Sequence, residues 1–211
     1  MAIKPILFNT EMVRANLDGR KTCTRRIVKH DVEAILNSPY RKEHPEVEDK
    51  QIISKLCMSP YQPGDILYVR ETWCKNPNHD EYYFKTRKSG IAPYGLKWRP
   101  SIHMPKEAAR IWLNVTDVRV ERLQEITEDE TFEEGFDFTP PCLRFTGENY
   151  CDIDGPCISK IKYCDMSRVE LFGKVLWNST IKKSDLDRYG WNANPWVWVI
   201  EYDLCEKPEG V

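Results

Sequence analysis

The sequence predicts a small mixed β-barrel of the α+β class with helices at its edges. Three observations support this prediction: several short apolar runs have strand character, few segments have helical spacing, and turns rich in Pro and Gly separate them. With 211 residues, the chain is long enough to bury a substantial core. We therefore interpret residues 1–211 as one domain that carries an insertion, residues 136–165, with little periodicity and four of the eight Cys.

The N-terminal elements are predicted from one apolar run and from residues that begin and end helices. Residues 5–8 have strand character. Asn9 and Thr10 are suited to cap a helix over residues 11–18, and Gly19 fits the left-handed position just after its end.

The middle of the chain contains two further strands and a long charged stretch. Residues 66–69 and residues 82–85 are predicted to be neighbouring strands. Residues 29–59 are charged and poorly patterned, so we expect a long surface excursion with one short helix over residues 32–36.

The C-terminal half alternates between strand and helix signals. Residues 111–123 alternate between apolar and polar positions and change parity near residues 116–117, which a β-bulge would explain. Capping boxes at Thr127 and Ser167 each predict the start of a helix. Residues 196–203 are apolar on both strand faces, so this strand is expected to be covered on both sides.

Charge and composition exclude some classes of function. Lys and Arg together number 31 and Asp and Glu number 33, so the net charge of −2 argues against a protein that binds duplex DNA without specificity. The sequence shows no signal peptide and no apolar run long enough for a membrane helix, so we expect a cytoplasmic protein. In that compartment, the eight Cys are expected to be free thiols or metal ligands.

Lys21 and Thr24 form the most informative motif of the sequence. If the backbone curls after Gly19, the two side chains share one side, and Lys21 becomes a candidate general base for the Thr24 hydroxyl. Arg25 and Arg26 would supply the neighbouring positive charge that favours a neutral lysine. The alternative is a solvated basic turn with no chemical role.

Glu71 is a second candidate because it ends an apolar row of strand residues. A carboxylate in this setting is either paired or functional, and we expect Lys21 or Arg26 to be its partner. A structural ion pair is the alternative.

The segment 136–165 is a candidate metal site. Cys142, Cys151, Cys157 and Cys164 could bind structural zinc in a tetrahedral arrangement, or less plausibly an iron–sulfur cluster, although the usual closely spaced Cys pair is missing. The alternative is four ordinary free thiols.

Seven stretches of the sequence have the pattern of one known family: residues 4–14, 19–26, 63–73, 98–105, 121–127, 134–135 and 194–199. On these stretches the chain resembles the ASCH domain family, and more narrowly the longer ASCH proteins of phages and prophages. The resemblance covers most of the chain outside residues 30–57 and 136–165. It implies a PUA-like β-barrel with a cleft and a role with RNA or modified nucleosides.

The resemblance also implies site residues. The family motif maps to Gly19, Lys21, Thr24 and Arg26, in the variant that carries Thr. Family members with this variant include small amidohydrolases that deacetylate N4-acetylcytidine, and their active-site Lys, Thr and Glu correspond here to Lys21, Thr24 and Glu71. On this assignment Thr24 is the nucleophile, Lys21 activates it, and Glu71 orients Lys21 or handles the proton of the leaving group.

Around these three catalytic candidates we predict a set of ligand-binding residues. They are Gly19, Arg25, Arg26, Arg70, Trp73, Trp98 and His103. Trp73 and Trp98 could stack on a base, and Arg26 could stabilise the developing oxyanion or hold the ligand. For Trp73, Trp98 and His103 the alternatives are ordinary packing and an exposed loop position.

The sequence thus predicts a protein that binds a modified nucleoside or single-stranded RNA, with hydrolysis of an acyl-amide on a modified pyrimidine as the most concrete activity. This chemistry needs no cofactor. Two alternatives remain: a non-catalytic RNA-binding module, and a phage accessory protein that docks on a host factor through its Cys-rich segment.

Overall fold

The computed structural model describes residues 1–87, 90–136 and 166–210 of the chain. The chain divides into two compact units. The first comprises Met1–Glu121, Glu133–Gly135 and the C-terminal segment from Trp196, and the second comprises Arg122–Phe132 and the segment from Phe136 to Pro195. Apart from Phe136, the predicted insertion lies outside the described residues, and its place within a single domain stays a prediction.

The first unit is built on a mixed sheet of five strands, in the order β1-β3-β6-β7-β2. Strand β1 runs parallel to β3, whereas β3 is antiparallel to β6 and β2 is antiparallel to β7. The strands of the described chain are β1 Ile3–Leu7, β2 Cys23–Ile27, β3 Ile66–Arg70, β4 Trp73–Lys75, β5 Tyr82–Phe84, β6 Trp112–Arg122 and β7 Trp196–Cys205. This mixed sheet with its helices confirms the α+β class.

The sheet is open in its hydrogen-bond order, because β1 and β2 are its terminal strands. A side chain joins these two strands: Arg26 Nη2 donates to the Leu7 carbonyl oxygen at 3.1 Å. Among the described residues, the five strands therefore do not close into a continuous backbone ring.

Strands β4 and β5 form a separate two-stranded sheet. The expectation that the strand over residues 82–85 lies beside β3 is wrong, since β5 pairs with β4 from Trp73↔Phe84 to Lys75↔Tyr82. The short connection between β4 and β5 explains this pairing, because consecutive antiparallel strands usually form a hairpin.

The core of the first unit is formed by the apolar faces of the sheet and of the first helix. Strand β7 is buried on both faces, as the sequence predicts. The fully buried core residues include Ile6, Val13, Leu67, Val69, Leu113, Val115, Val199 and Ile200.

Helix α1, Thr10–Leu17, has the ends that the sequence predicts. Its Asn9 cap accepts a hydrogen bond from the Met12 backbone N–H at 2.8 Å. The chain leaves the helix at Gly19, whose φ of 70° is accessible to glycine at little cost. Residues 20–26 therefore start from a fixed position.

The stretch 29–59 differs from its prediction as a surface excursion. The short helix expected over residues 32–36 is confirmed, but two further helices follow it, and the last one buries Ile52 and Ile53 completely. Each helix is too short to show a clear hydrophobic period, which explains the difference. The three helices are α2 Val32–Leu36, α3 Pro39–Glu43 and α4 Asp49–Leu56.

The described residues of the second unit include several short helices, and both predicted capping boxes are present. Thr127 exchanges hydrogen bonds with Glu130, and Ser167 does so with Glu170. The helices that follow are α5 Glu128–Glu133, α6 Arg168–Leu171 with a π-helical continuation Phe172–Trp177, α7 Asn178–Thr180 and α8 Leu186–Tyr189. In the described parts of the chain, no helix has the length and apolar character needed to cross a membrane.

Candidate functional site

Lys21 lies at the centre of a buried polar cluster in the first unit. Its side chain is fully buried, and its Nζ donates to the Cys23 carbonyl oxygen at 2.8 Å, to the Glu134 carbonyl oxygen at 2.8 Å and to Glu134 Oε2 at 2.7 Å. An ammonium group has three N–H donors, so these acceptors use all of them. In this arrangement Lys21 presents a satisfied positive charge.

Glu134 also holds Arg25, which makes it the common carboxylate of two buried cations. Arg25 Nη1 lies 3.5 Å from Glu134 Oε1, and Arg25 Nη2 lies 3.7 Å from Glu121 Oε2. The Arg25 side chain is fully buried. The structure thus orders four charges in an alternating row, from Lys21 through Glu134 and Arg25 to Glu121.

Sequence reasoning missed Glu134 as a site residue, although Gly135 beside it is a usable signal. Gly135 has a φ of 75°, and a Cβ there would lie 2.5 Å from the Ala15 Cβ and 3.0 Å from the Lys21 Cβ. Only glycine allows the backbone at residue 135 to lie this close to Ala15 and Lys21. This close approach places the Glu134 carboxylate beside the Lys21 ammonium.

Thr24 lies in β2, opposite Ile200 of β7, and is fully buried. Within the described part of the chain, its Oγ1 has no hydrogen-bond partner. The backbone is extended from Cys23 onward, so the curl expected between Lys21 and Thr24 is not found. By strand alternation, Thr24 shares a face with Arg26, whereas Arg25 projects from the opposite face.

Glu71 has a partner that the sequence analysis did not name. Both of its oxygens are bound by Arg110, at 2.8 Å to Oε1 and 3.1 Å to Oε2, and Thr86 Oγ1 donates to Oε2 at 3.1 Å. Arg110 also lies over the Phe84 ring at 4.4 Å. The expectation that Lys21 or Arg26 pairs with Glu71 is therefore wrong. Arg110 is 39 residues away in the chain, and no spacing rule connects it to Glu71.

The buried cluster around Glu134 shifts the pKa values of two neighbouring groups upward. Burial raises the pKa of the Tyr202 hydroxyl well above its ordinary value, and the negative charge of Glu134 raises it further. Burial likewise raises the pKa of the Cys23 thiol, and Glu134 again adds to the shift. Both groups stay protonated at neutral pH, so Cys23 is not a reactive thiolate.

A groove of about 500 Å³ opens on the first unit next to β2. Arg26 lines this groove, and its guanidinium also donates to the Leu7 and Arg25 carbonyl oxygens. Tyr61 is held in place because its hydroxyl donates to the Pro5 carbonyl oxygen at 2.8 Å. Burial raises the pKa of the Tyr61 hydroxyl, so it remains a donor. The groove is lined by Arg26, Ile27, Lys29, His30, Met58, Pro60, Tyr61 and Trp198.

The other predicted ligand-binding residues lie in varied settings. Arg70 Nε donates to the Met104 carbonyl oxygen at 2.7 Å, and Trp98 Nε1 donates to the Gly90 carbonyl oxygen at 3.1 Å. Trp73 is buried with Arg99 5.3 Å from its ring, and His103 is exposed at the end of a 3₁₀ turn. None of these four lines the groove beside Arg26.

The predicted metal ligands Cys142, Cys151, Cys157 and Cys164 lie outside the described residues. Among the residues that are described, no group of three or more His, Cys, Asp or Glu side chains could hold a metal ion. The described cysteines are free thiols, of which Cys23, Cys57 and Cys74 are buried and Cys205 is half-buried.

The chain is similar to the crystal structure of an ASCH domain from Lactobacillus crispatus JV V101, with 10% sequence identity and a TM-score of 0.35 over 96% of this chain and 79% of that chain. No family model matches the chain. The curated proteins also contain no match.

Proposed function

We propose that this chain binds a nucleoside or single-stranded RNA, as its resemblance to ASCH domains implies, and that the groove beside Arg26 is the binding site. The observation that carries the proposal is the composition of this groove. Arg26, Lys29, His30 and Tyr61 are among its lining residues, and no carboxylate is among the lining residues that the structure describes.

This composition suits a ligand that has both a flat ring and negative charge. Arginine and lysine bind phosphate oxygens, and an aromatic ring such as that of Tyr61 can stack on a base. A groove of about 500 Å³ has the volume of a typical small-ligand site, so it can accommodate one nucleotide. Because the whole chain has a net charge of −2, the positive groove is a local feature that would steer an anion to one place.

Arg26 links this groove to the buried polar cluster. The Arg26 Cζ lies 5.6 Å from the centre of the Phe8 ring, and the Lys21 Nζ lies 5.5 Å from the same centre. Two cations therefore contact one ring, Arg26 from the groove and Lys21 from its pair with Glu134. A ligand that draws Arg26 toward the groove would change the surroundings of that pair.

Binding is tested with cytidine 5′-monophosphate and with a short single-stranded RNA, using fluorescence anisotropy at several salt concentrations. We expect Arg26→Gln to weaken RNA binding by about tenfold and to reduce its salt dependence, because one phosphate contact is lost. Arg188→Gln, which changes an exposed arginine of the second unit, is the matched control. Equal affinity of the Arg26 variant and the wild type would contradict the proposed site.

A second candidate function is hydrolysis of an acyl-amide on a modified pyrimidine, such as N4-acetylcytidine. The buried hydroxyl of Thr24, which has no hydrogen-bond partner among the described residues, favours it, because Thr24 shares a strand face with Arg26. If Thr24 and Lys21 have the roles that the resemblance implies, Lys21 would first give one proton to the Glu134 carboxylate and so become a base. The Thr24 oxygen would then attack the acyl carbon, and its proton would pass through Lys21 to the leaving amine, giving cytidine and an acyl-threonine ester that water hydrolyses.

The carboxylate of this reaction has two candidates. The resemblance assigns it to Glu71, and the hydrogen bond to Lys21 favours Glu134 instead. Arg70, Trp73, Trp98, His103 and the turn at Gly19 remain candidate ligand contacts that the resemblance implies.

Thr24→Val separates catalysis from folding. Because the Thr24 hydroxyl has no partner among the described residues, an isosteric methyl group should leave stability nearly unchanged. We expect wild-type protein to release cytidine from N4-acetylcytidine and Thr24→Val to release none, with the exposed Thr22→Val as control. An active Thr24→Val variant would exclude Thr24 as the nucleophile. If the wild type is inactive, the hydrolase hypothesis is wrong and the protein is a non-catalytic binding module.

Zinc binding by the Cys-rich segment is a further part of the proposal. Zinc bound by Cys142, Cys151, Cys157 and Cys164 would staple the segment between the described parts of the chain, and native mass spectrometry should find one zinc per chain that chelators remove. A metal-free protein with an unchanged melting temperature would contradict it. A cytoplasmic location, a phage origin and docking on a host factor stay predictions, based on the resemblance and the composition.

A further inference from the structure

One segment of the chain carries a concentrated positive charge. Residues 82–106 contain six Lys or Arg residues and no Asp or Glu, so the formal charge of the segment is +6. Because the whole chain has a net charge of −2, the residues outside the segment carry −8. A local excess of this size on an otherwise acidic chain attracts a polyanion to one surface.

This segment folds onto the β4–β5 hairpin within the first unit. It begins with β5 and returns to the hairpin at Arg99, whose backbone pairs with Trp73 of β4 through hydrogen bonds of 2.7 and 3.2 Å. The Tyr94 ring lies 6.2 Å from the Tyr83 ring of β5, measured between ring centres. Residues far apart within the segment therefore meet on one small sheet.

Two exposed arginines on this sheet keep their charge available. The Arg87 Cζ lies 4.9 Å from the centre of the Tyr83 ring, and the Arg99 Cζ lies 5.3 Å from the centre of the Trp73 ring. Within the described parts of the chain, neither guanidinium forms an ion pair or a hydrogen bond. Burial raises the pKa of the Cys74 thiol, and the charges of Arg99 and Arg87 both oppose this rise, so both cations lie near the same residue of β4.

The carboxylates around the hairpin already have partners. Glu81 and Glu107 each accept a hydrogen bond from a tyrosine hydroxyl of β5, and Asp80 pairs with Lys75 at 2.6 Å. Arg99 opens onto a groove of about 460 Å³, and the other residues that line it are Lys75, Asn76, Pro77, Asn78, His79 and Asp80. Because Lys75 and Asp80 cancel each other, Arg99 gives this groove a positive formal charge. A ligand that fits here supplies hydrogen-bond acceptors with negative charge.

Tyr94 adds an aromatic surface next to these cations. Its side chain is 79% exposed, and its φ of 54° is unfavourable for a bulky residue. Backbone strain at an exposed residue is typical of positions that contact a ligand. An exposed ring that follows one available arginine and precedes another is suited to stack on a base whose phosphates the arginines hold.

We infer that Arg87, Tyr94 and Arg99, named here the hairpin surface, bind single-stranded RNA outside the groove beside Arg26, an inference that rests on the proposed function. The two arginines bind phosphate oxygens, and Tyr94 stacks on an unpaired base. The bases of a duplex are stacked on each other, so the hairpin surface favours a single strand. A mononucleotide occupies the groove beside Arg26, whereas a longer strand also reaches the hairpin surface.

The test measures the affinities for cytidine 5′-monophosphate, for a single-stranded RNA of about eight nucleotides and for the duplex of the same sequence. In Arg87→Gln/Arg99→Gln, we expect the affinity for the single strand to fall by about 10- to 30-fold. The slope of log K against log salt should decrease by about 1.4, since each phosphate contact on a single strand contributes about 0.7. The affinity for the mononucleotide should not change.

A second variant, Tyr94→Asn, tests stacking separately from charge. Asparagine accepts the left-handed backbone conformation, so the variant should fold. We expect single-strand affinity to fall by at least about fivefold with an unchanged salt slope. The matched control for the arginines is Lys182→Gln/Arg188→Gln on the second unit, where both residues are exposed and Arg188 lies 5.1 Å from the Tyr189 ring.

The outcomes distinguish this inference from the function on which it rests. If the wild type binds the mononucleotide and the single strand, but neither variant changes single-strand affinity, the hairpin surface is wrong and the groove beside Arg26 stands. If the arginine variant weakens binding while Tyr94→Asn does not, or the duplex binds as tightly as the single strand, the surface takes any polyanion and its assignment to single-stranded RNA is wrong. A wild type that binds neither the mononucleotide nor the single strand would overturn both proposals. Because all three side chains are exposed, unchanged thermal melting is expected and excludes unfolding as a cause.

Discussion

Glu71 and Glu134 are buried to nearly the same degree, with 1% and 4% of their surfaces exposed, yet they are held in different ways. Glu71 faces the guanidinium of Arg110, whose side chain is 36% exposed. Glu134 faces Lys21 and Arg25, whose side chains are both fully buried. One pair is in contact with solvent and the other is closed off from it.

The difference shows that a buried carboxylate at the end of an apolar strand is not by itself a sign of chemistry. Glu71 fixes the end of β3 to the β4–β5 hairpin, because Arg110 also contacts Thr86 and Phe84. Glu134 comes from a segment distant in sequence, bridges to Lys21 just before β2 and pairs with Arg25 of β2. The geometry of Glu71 is that of an anchor, and the geometry of Glu134 is that of a group that positions Lys21.

The largest expected effect comes from removing the charge of Glu134. In Glu134→Gln, Lys21 loses its countercharge while remaining buried, and breaking one side of a buried pair costs about 3–5 kcal/mol of unfolding free energy. Urea denaturation followed by circular dichroism measures this loss. Lys21→Met should cost less, because Glu134 keeps Arg25 as a partner.

The control for this comparison is Glu206→Gln, at an exposed position near the C-terminal end of β7, which should change stability by less than about 0.5 kcal/mol. A loss below about 1 kcal/mol in Glu134→Gln would show that Lys21 is stabilised by other groups. The larger stability loss expected for Glu134→Gln than for Lys21→Met would then have no electrostatic basis.

A somewhat smaller loss of stability is expected from Gly135→Ala, which tests whether the close approach at Gly135 positions Glu134. The added Cβ would lie 2.5 Å from the Ala15 Cβ, and the φ of 75° is unfavourable for alanine. Together, overpacking and backbone strain should cost about 3 kcal/mol. Gly64→Ala is the matched control, because its φ is 85° but no atom lies within 4 Å of the added Cβ, and it should cost about 1 kcal/mol. Equal losses in both variants would show that the close approach to Ala15 and Lys21 is relieved by small shifts.

Glu71→Gln should have a moderate effect on stability and none on the ligand. Because Arg110 is more than one third exposed, water can solvate it after the change, and we expect a loss of about 1–2 kcal/mol. RNA affinity and any cytidine release should equal those of the wild type. A variant that is as stable as the wild type but has lost turnover would return Glu71 to the catalytic role that the resemblance assigns.

The local features of the fold were predictable, and the contacts that pair charges were not. Asn9, Gly19 and the two capping boxes act within four residues, so their spacing in sequence determines their structure. The Lys21–Glu134 bond spans 113 residues and the Arg110–Glu71 bond spans 39. Nothing in local spacing specifies which buried cation meets which carboxylate. The groove beside Arg26 likewise needs Tyr61, which only the three helices after β2 bring into place.

A third carboxylate, Asp65, extends the comparison to a pair whose lysine is about one third exposed. Burial alone would raise its pKa, but hydrogen bonds from Lys4 at 2.7 Å and from the Ala2 and Gln62 backbone N–H groups lower the pKa below its ordinary value. A lowered carboxyl pKa stabilises the fold above the unfolded value of about 3.9, and this contribution is lost as the pH falls through the folded value.

Asp65→Asn should therefore reduce stability at neutral pH by no more than about 1 kcal/mol, since the Lys4 side chain is 34% exposed and its attraction is screened. The difference from the wild type should shrink below about pH 4 and vanish in stronger acid, where the Asp65 carboxyl is protonated and resembles the amide. Urea midpoints measured across this range, with the exposed Asp203→Asn as control, follow the difference. If the difference is the same at every pH, the loss comes from the altered geometry of the Ala2 and Gln62 hydrogen bonds. The charge of Asp65 would then contribute nothing to stability, and its pair with Lys4 would behave as a neutral hydrogen-bonded turn does.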